Sequence, residues 1–439
     1  MSEASRKCKR RIEGVYDVTA PDPAPDPAPS LYPVRRQKHL GDRGLVALIA
    51  FLSAFVPLST DLYLPALPGM ALYFEVSADL ANLTLILFFV FFAGGMLLWG
   101  PLSDRYGRRP VLMAGLVIYT AASLGCAASG DIHQLIAFRI LQAVGASSAF
   151  AVATAMIKDV FNSKSREPIL AMVQSMVLIS PVAAPVLGAL LLKFVSWRGV
   201  FWSLALIGLL ALAGSLALEE TIDHRNTGSM AQALGRIFEV ARNPGFASLL
   251  ILFSLPGIFA MAFLAASSYI YINGFGLSPQ VYSYYFAVNA LGMISGPMIY
   301  MRISRRRRRR SIIVGCFGAI MASGMLISWF GGLQPWFFAL ALLPATISAS
   351  CVRTPATNLI LEQQRGDTGS AAALMSCFGI LMGSVGMIVI SLSWTNPILI
   401  LGTMNFVIGL VCGALWLLIS TKEYVKQVPE RYIAPSAGS

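Results

Sequence analysis

The chain has 439 residues, of which 56% are hydrophobic and 12% are charged, and its mean hydropathy is +0.69. A soluble domain carries about 25% charged and 45–50% apolar residues, which disfavours a water-soluble enzyme, a disordered protein and a disulfide scaffold. The net charge of +12 does not indicate nucleic-acid binding, because the basic residues stand in short clusters between apolar stretches. The composition predicts an all-α polytopic membrane protein.

The order of polar and apolar stretches predicts the domain organisation. Residues 1–43 are polar and rich in proline, so we expect a disordered cytoplasmic tail. Twelve apolar segments follow, here called spans one to twelve, and each is long enough to cross a hydrocarbon core of about 30 Å. They cover residues 44–70, 80–102, 110–130, 133–157, 167–192, 198–218, 247–272, 280–302, 311–331, 335–361, 368–393 and 396–420. We therefore predict six-helix bundles at 44–218 and 247–420, a cytoplasmic linker at 219–246 and a cytoplasmic tail at 421–439.

The basic residues predict the orientation in the membrane. With a cytoplasmic amino terminus, 29 of the 33 Lys and Arg residues fall in cytoplasmic segments, whereas only Lys193 and Arg198 fall in external loops. The positive-inside rule then places both termini in the cytoplasm. The six consecutive arginines at 305–310 are interpreted as a topology anchor on an anionic leaflet.

Asp61 is the main candidate for a functional residue. It alone among the 21 acidic residues lies deep within a span, where a carboxylate is costly and usually functional. Burial favours the neutral acid and a nearby cation favours the carboxylate, so such a group can bind and release a proton as its surroundings alternate. A permanently salt-bridged aspartate is the alternative. Pro57 and Pro65 are expected to bend the same helix, and Pro68 to mark its outer end.

Arg139 in span four is the predicted partner of Asp61. Counting 1.5 Å per residue, Asp61 lies about 15 Å from the outer end of span one and Arg139 about 10 Å from the outer start of span four. The two side chains could therefore meet across a central cavity, with Gln142 on the same face as Arg139. An arginine that snorkels to the membrane surface is the alternative.

Further polar residues in the spans are candidates for a substrate path: Tyr63, Asn289, Arg353 and Asn358, together with Gln142. Arg353 is equally compatible with an anchor at the inner gate. The chain contains no Gly-x-x-x-x-Gly-Lys-Ser/Thr loop, so ATP hydrolysis through such a loop is not expected. We expect no cofactor and no metal, with an ion gradient as the energy source.

The loop after span two reads Gly-Pro-Leu-Ser-Asp-Arg-Tyr-Gly-Arg-Arg-Pro over residues 100–110 and resembles the signature loop of the major facilitator superfamily. Asp104 can accept hydrogen bonds from a helix amino terminus or from an arginine of the other half, which would lock the inner face. Gly107 permits the turn. The residues assigned to this inner gate are Gly100, Asp104, Arg105, Gly107, Arg108 and Arg109.

Three further segments resemble one part of that superfamily. Residues 139–146 resemble the span-four motif of twelve-helix drug:proton antiporters, and residues 180–189 resemble their span-five motif. The closing Gly-Gly of the span-five motif appears here as Gly188-Ala189. Residues 59–68 resemble the first helix of the bicyclomycin- and chloramphenicol-resistance (Bcr/CflA) branch.

The resemblance implies a monomeric inner-membrane exporter that exchanges protons for a small organic compound by alternating access. It makes Asp61 the protonation site, Arg139 its coupling partner, and Pro181, Pro185 and Gly188 the bend behind antiport. The expected partners are a small molecule, protons and membrane lipid, without nucleic acid.

One departure from the family narrows the expected class of substrate. Ser53 stands where some multidrug relatives carry a second acid, which favours neutral or anionic substrates. Two alternatives remain: an exporter of a physiological metabolite such as a nucleoside, sugar or siderophore, and a non-transporting sensor on a degenerate transporter fold. Transport by uniport would predict that Asp61 is dispensable.

Overall fold

The structure is a computed structural model that describes residues 37–161, 163–222, 230–364, 368–422 and 425. Most of the predicted tail at 1–43, most of the tail at 421–439 and part of the predicted linker lie outside the described residues. The described part of the chain is α-helical with short 3₁₀ and π turns, and it contains no strand.

Each of the twelve predicted spans coincides with a helix or with a row of shorter helices. Spans two to six are the helices Ala78–Tyr106, Arg108–Ala128, Ile132–Val160, Ser163–Leu191 and Trp197–Leu216. Spans eight to twelve are Pro279–Ile303, Arg309–Phe330, Pro335–Glu362, Thr368–Ser391 and Pro397–Ile419. A further helix, Met230–Arg242, lies in the predicted linker and is called the linker helix.

The helices are long and apolar enough for a membrane protein. Among the described residues, nine helices can cross a bilayer by length and composition, and the bent pair in span one makes a tenth. Span five contributes the shorter apolar helix Ile179–Leu191, and span eight is long enough but carries several tyrosines and serines. The predicted all-α polytopic fold is thus confirmed. Helices suit a bilayer because they pair each backbone N–H and C=O group within the segment itself.

Span one is broken beside Asp61. It consists of the helices Gly41–Ser53, Phe55–Asp61 and Leu67–Tyr73, with a 3₁₀ turn Leu64–Ala66 before the last. Pro65 has no N–H to donate to the carbonyl of Asp61, so the α-helix ends there. The helix resumes with Pro68 buried in its first turn, where no donor is needed. The expectation that Pro68 marks the outer end of the span is therefore wrong.

Span seven is broken in a similar way. It runs as Pro244–Ser254 and Pro256–Ser268, and Pro256 begins the second part. One π-helical turn, Tyr269–Gly274, ends the span. Such turns are rare and are frequent at functional sites.

Direct hydrogen bonds between the two halves lie at one end of the molecule. We call the end that carries loops 103–109 and 302–310 the basic face, and the other end the opposite face. At the opposite face, the Asn82 amide in span two donates to the Ser391 hydroxyl in span eleven (2.9 Å). The Gln280 amide in span eight donates to the carbonyl of Ala189 in span five (2.8 Å). At the basic face, the linker helix lies against spans two and eleven. The structure is therefore closed at the opposite face.

Candidate proton and substrate site

Asp61 is a buried carboxyl group at the break in span one. It is the last residue of the helix Phe55–Asp61 and is 5% exposed. The Thr60 hydroxyl donates to its Oδ1 atom (3.0 Å). Within the described residues, no Lys or Arg nitrogen lies within 4.0 Å of this carboxylate. The alternative of a permanent salt bridge is not what the structure shows.

Arg139 is fully buried in the amino-terminal half. Its Nη1 atom donates to Oε1 of Gln142 (2.6 Å) and to the carbonyl of Ser59 (3.2 Å). Its Nε atom donates to the carbonyl of Thr84 (3.4 Å). The side chain therefore points into the protein, and the snorkelling alternative is wrong.

Aromatic rings complete the surroundings of Arg139. The guanidinium lies 4.3 Å from the ring centre of Phe88 and 4.8 Å from that of Tyr63. The Tyr63 hydroxyl is hydrogen-bonded to Thr84 (2.7 Å). Cation–π contacts of a desolvated guanidinium are worth about 2 kcal/mol each. Carbonyls, an amide and ring faces thus hold the charge in place of a carboxylate, and the Nη2 atom has no hydrogen-bond partner within the part of the chain that the structure describes.

The structure brings Arg139 to the helix that carries Asp61 but not to the carboxylate itself. The helix break explains the contact, because the Tyr63 N–H pairs with the carbonyl of Thr60 and leaves that of Ser59 for Arg139. The expected meeting of the two side chains as an ion pair is absent in this conformation. Arg139 instead binds span one two residues before Asp61.

Sequence reasoning missed the polar residues of span three in this network. The Ser59 and Tyr119 hydroxyls are hydrogen-bonded (2.6 Å), and the Gln142 amide donates to the hydroxyl of Ser123 (2.8 Å). A tyrosine in an apolar span signals that its hydroxyl needs a buried partner. The identity of that partner depends on which helices pack together.

Sequence reasoning also missed an aromatic wall in the carboxy-terminal half. Tyr282 of span eight lies within electrostatic reach of Asp61, and its hydroxyl is hydrogen-bonded to Ser267 (3.0 Å). Tyr271, from the π-helical turn, stacks on Tyr285 with ring centres 5.1 Å apart. The Tyr271 hydroxyl is buried, and no described residue forms a hydrogen bond with it. The carboxy-terminal half therefore brings one buried tyrosine, Tyr282, near Asp61, and Tyr271 packs against that tyrosine.

The predicted substrate-path residues do not form one group. Tyr63 and Gln142 belong to the Arg139 network described above. Asn289 is buried in span eight, where its amide donates to the carbonyl of Tyr285 (3.3 Å) and its Oδ1 atom has no partner among the residues described. Arg353 and Asn358 are exposed on span ten. A shared role of the five residues stays a prediction.

Span five passes very close to span one at Gly188. A Cβ atom at this position would overlap the carbonyl oxygen of Leu62, the residue after Asp61. Span five continues as one helix through Pro181 and Pro185, so the bend expected there is not a break in the helix. Gly188 therefore sets the distance between span five and the Asp61 region.

We expect Gly188→Ala to impair transport and to lower the free energy of unfolding by about 1–3 kcal/mol, because a backbone oxygen cannot rotate away from the added methyl group. Thermal unfolding in detergent and transport in proteoliposomes measure the two effects. Gly94→Ala is the matched control, since no atom lies within 4 Å of a Cβ atom at Gly94. Equal behaviour of the two variants would contradict the role of Gly188.

The loop at the basic face is held within its own half. Gly107 has φ +105°, and a Cβ atom there would meet the carboxylate of Glu220, so the position requires glycine. Asp104 pairs with Arg108, which also pairs with Asp159 (2.8 Å). Glu220 accepts from the backbone N–H of Arg108 (2.8 Å) and so caps the first turn of span three.

The remaining gate residues have local contacts. Arg109 donates to the carbonyl of Leu216 (2.8 Å), Arg105 lies over the ring of Tyr106, and Gly100 faces open space. Asp104 was expected to bind a helix end or an arginine of the other half. In the described residues its ion pair is with Arg108 of its own loop. This pair does not tie the basic face of one half to the other half.

Helices that enclose a buried acid between two halves define a membrane transporter, and comparison with known proteins gives its family. The Major Facilitator Superfamily matches residues 49–387, so the chain belongs to that superfamily. It is 30% identical to the MFS-type transporter YdgK of Bacillus subtilis, over 87% of this chain and 96% of that protein. It is 29% identical to a chloramphenicol resistance protein of Pseudomonas aeruginosa, over 84% of this chain and 90% of that protein.

Solved structures show the same fold. A peptide transporter POT in complex with sulfate superposes with a TM-score of 0.68 at 15% identity, over 88% of this chain and 96% of that chain. The relatives are transporters and not enzymes, and the resemblance to the bicyclomycin- and chloramphenicol-resistance branch is confirmed. The chain is a multi-pass membrane transporter that binds a small-molecule substrate.

Proposed function

We propose that the protein is a proton-coupled antiporter that exports a small organic compound across the bacterial inner membrane by alternating access. The observation that carries this proposal is the buried Asp61 carboxyl group, which has no ion pair among the described residues and lies at the helix break of span one. The basic face and both termini are cytoplasmic in this proposal, because basic loops are retained on the cytoplasmic side.

The proposed cycle uses one acid in two surroundings. A buried acid without a cation is favoured in its neutral form. A proton from outside the cell would therefore neutralise Asp61 before the protein returns to the conformation described here, which is closed at the opposite face. In that conformation, Asp61 would release the proton to the cytoplasm when the substrate enters. The unpaired Nη2 atom of Arg139 supports a coupling role, because a small shift of span one would offer it the ionised carboxylate.

The surroundings of Asp61 favour a neutral, drug-sized substrate with an aromatic or apolar part. Position 53 holds a serine, which is buried and donates to the carbonyl of Ile49. Asp61 is the only acid in span one, so the span offers no second carboxylate to a cationic drug. Tyr271 and Tyr282 are fully buried in this conformation and would supply aromatic surface from the other half once the site opens. The name of the chloramphenicol-resistance relative supports the same class of substrate.

The test is transport in proteoliposomes that contain the full chain. An acidic interior is imposed, and uptake of chloramphenicol, a nucleoside, a sugar and citrate is followed with and without a proton ionophore. We expect accumulation of a drug-like compound that the ionophore abolishes. Accumulation of the metabolites alone would favour the metabolite exporter, and the absence of any gradient-driven uptake would contradict antiport.

A further inference from the structure

A groove opens between spans eight and nine near the basic face. Both spans pack closely against span ten but hardly against each other, so they leave a space of about 390 Å³. Four isoleucines, drawn from all three spans, belong to its wall: Ile299, Ile303, Ile312 and Ile347. Arg307 lines the same groove and is exposed. The groove is therefore mainly apolar, with Ser311 and Ser348 also in its wall, and it is positively charged at the loop.

Among the described residues, the Arg307 charge beside the groove has no ion pair. Residues 305–310 are six arginines, and Glu362 pairs with Arg309 among them (3.3 Å). In the described part of the chain, no carboxylate oxygen lies within 4.0 Å of Arg307. An exposed guanidinium next to an apolar wall matches a ligand with an anionic head and an apolar tail.

We propose that this groove is a binding site for an anionic phospholipid, with an acyl chain along the isoleucines and the headgroup phosphate on Arg307. Basic pockets between membrane helices recognise anionic headgroups in this way. Free phosphate would use the guanidinium and leave the apolar wall exposed, whereas a zwitterionic lipid would leave the arginine charge unbalanced. The run of arginines then contributes to a lipid-binding site and also acts as a topology signal.

Two glycines of span nine allow a matched test. Gly315 lines the groove, and no atom lies within 4 Å of a Cβ atom built there. A leucine at 315 would fill the groove without displacing the backbone. Gly318, one turn further along, is equally open and does not line the groove, so Gly318→Leu adds the same bulk elsewhere. Arg307→Gln is paired with Arg306→Gln in the same way.

The experiment titrates the purified full-length protein in detergent with phosphatidylglycerol or phosphatidylcholine and counts bound lipid by native mass spectrometry. We expect one tightly bound phosphatidylglycerol. Arg307→Gln removes a charge-assisted hydrogen bond to the phosphate and should weaken binding about fivefold or more. Gly315→Leu should weaken it at least as much. Gly318→Leu should change it by less than about twofold, and Arg306→Gln, which removes only general attraction to the anionic lipid, should weaken it clearly less than Arg307→Gln does.

Three results would overturn the proposal. Equal losses of phosphatidylglycerol binding in Arg306→Gln and Arg307→Gln would mean that the whole arginine run attracts the lipid without a specific site. Full displacement of the lipid by inorganic phosphate would mean that the site binds an anion and not a lipid. Unchanged binding in a folded Gly315→Leu variant would exclude the acyl chain from the groove. If that variant does not fold, Ile303→Glu places a negative charge in the exposed groove wall and must weaken binding more than Arg306→Gln does.

Discussion

Asp61→Asn is expected to abolish proton-driven transport while substrate binding persists. Asparagine keeps the size of the side chain and can still accept the hydrogen bond from Thr60, but it cannot take up or release a proton. Gradient-driven uptake in proteoliposomes should fall to background, whereas substrate exchange at equal pH should continue. Because the buried site then stays neutral at every pH, the remaining exchange should no longer depend on pH.

The matched control is Asp79→Asn, which removes an exposed acid at the start of span two in the same half. It should transport like the native chain. Survival of gradient-driven uptake in Asp61→Asn, with its pH dependence unchanged, would show that Asp61 is structural and that another group carries the proton.

Replacing Arg139 should damage both stability and transport. Arg139→Gln removes hydrogen bonds to two backbone carbonyls and the charge above two rings, all in a fully buried place. Hydrogen bonds to a charged group contribute about 1.5–3 kcal/mol each, so we expect a loss of about 3 kcal/mol in the free energy of unfolding. Arg139→Lys should also fail, because an ammonium group cannot reproduce the planar donors that span the carbonyls of Ser59 and Thr84.

Thermal unfolding in detergent and gradient-driven uptake measure these two effects. Arg198→Lys is the control, since Arg198 also lies over an aromatic ring and donates to a carbonyl, but it is only half-buried at the opposite face. A stable Arg139→Lys variant with native transport would contradict the network described here. A stable variant without coupling would separate the proposed coupling role of Arg139 from its packing role.

The sequence by itself determined the class of the protein. Apolar length, basic loops and short motifs are local properties, and a bilayer forces each apolar segment to satisfy its own backbone as a helix. The twelve helical spans and the superfamily therefore follow from residues read in order. Depth along a helix is equally local, so Asp61 and Arg139 could both be placed within the membrane by counting residues.

The tertiary structure decided which side chains meet. Asp61 and Arg139 have comparable depths, yet Arg139 turns to Ser59, Thr84 and Gln142. Tyr282 comes within reach of Asp61 only because span eight of the other half lies against span one. The close approach of Gly188 to Leu62, and the groove beside Arg307, have the same origin. The rotation of each helix about its axis and the choice of its neighbours depend on the packing of the whole bundle, which no local stretch of sequence contains.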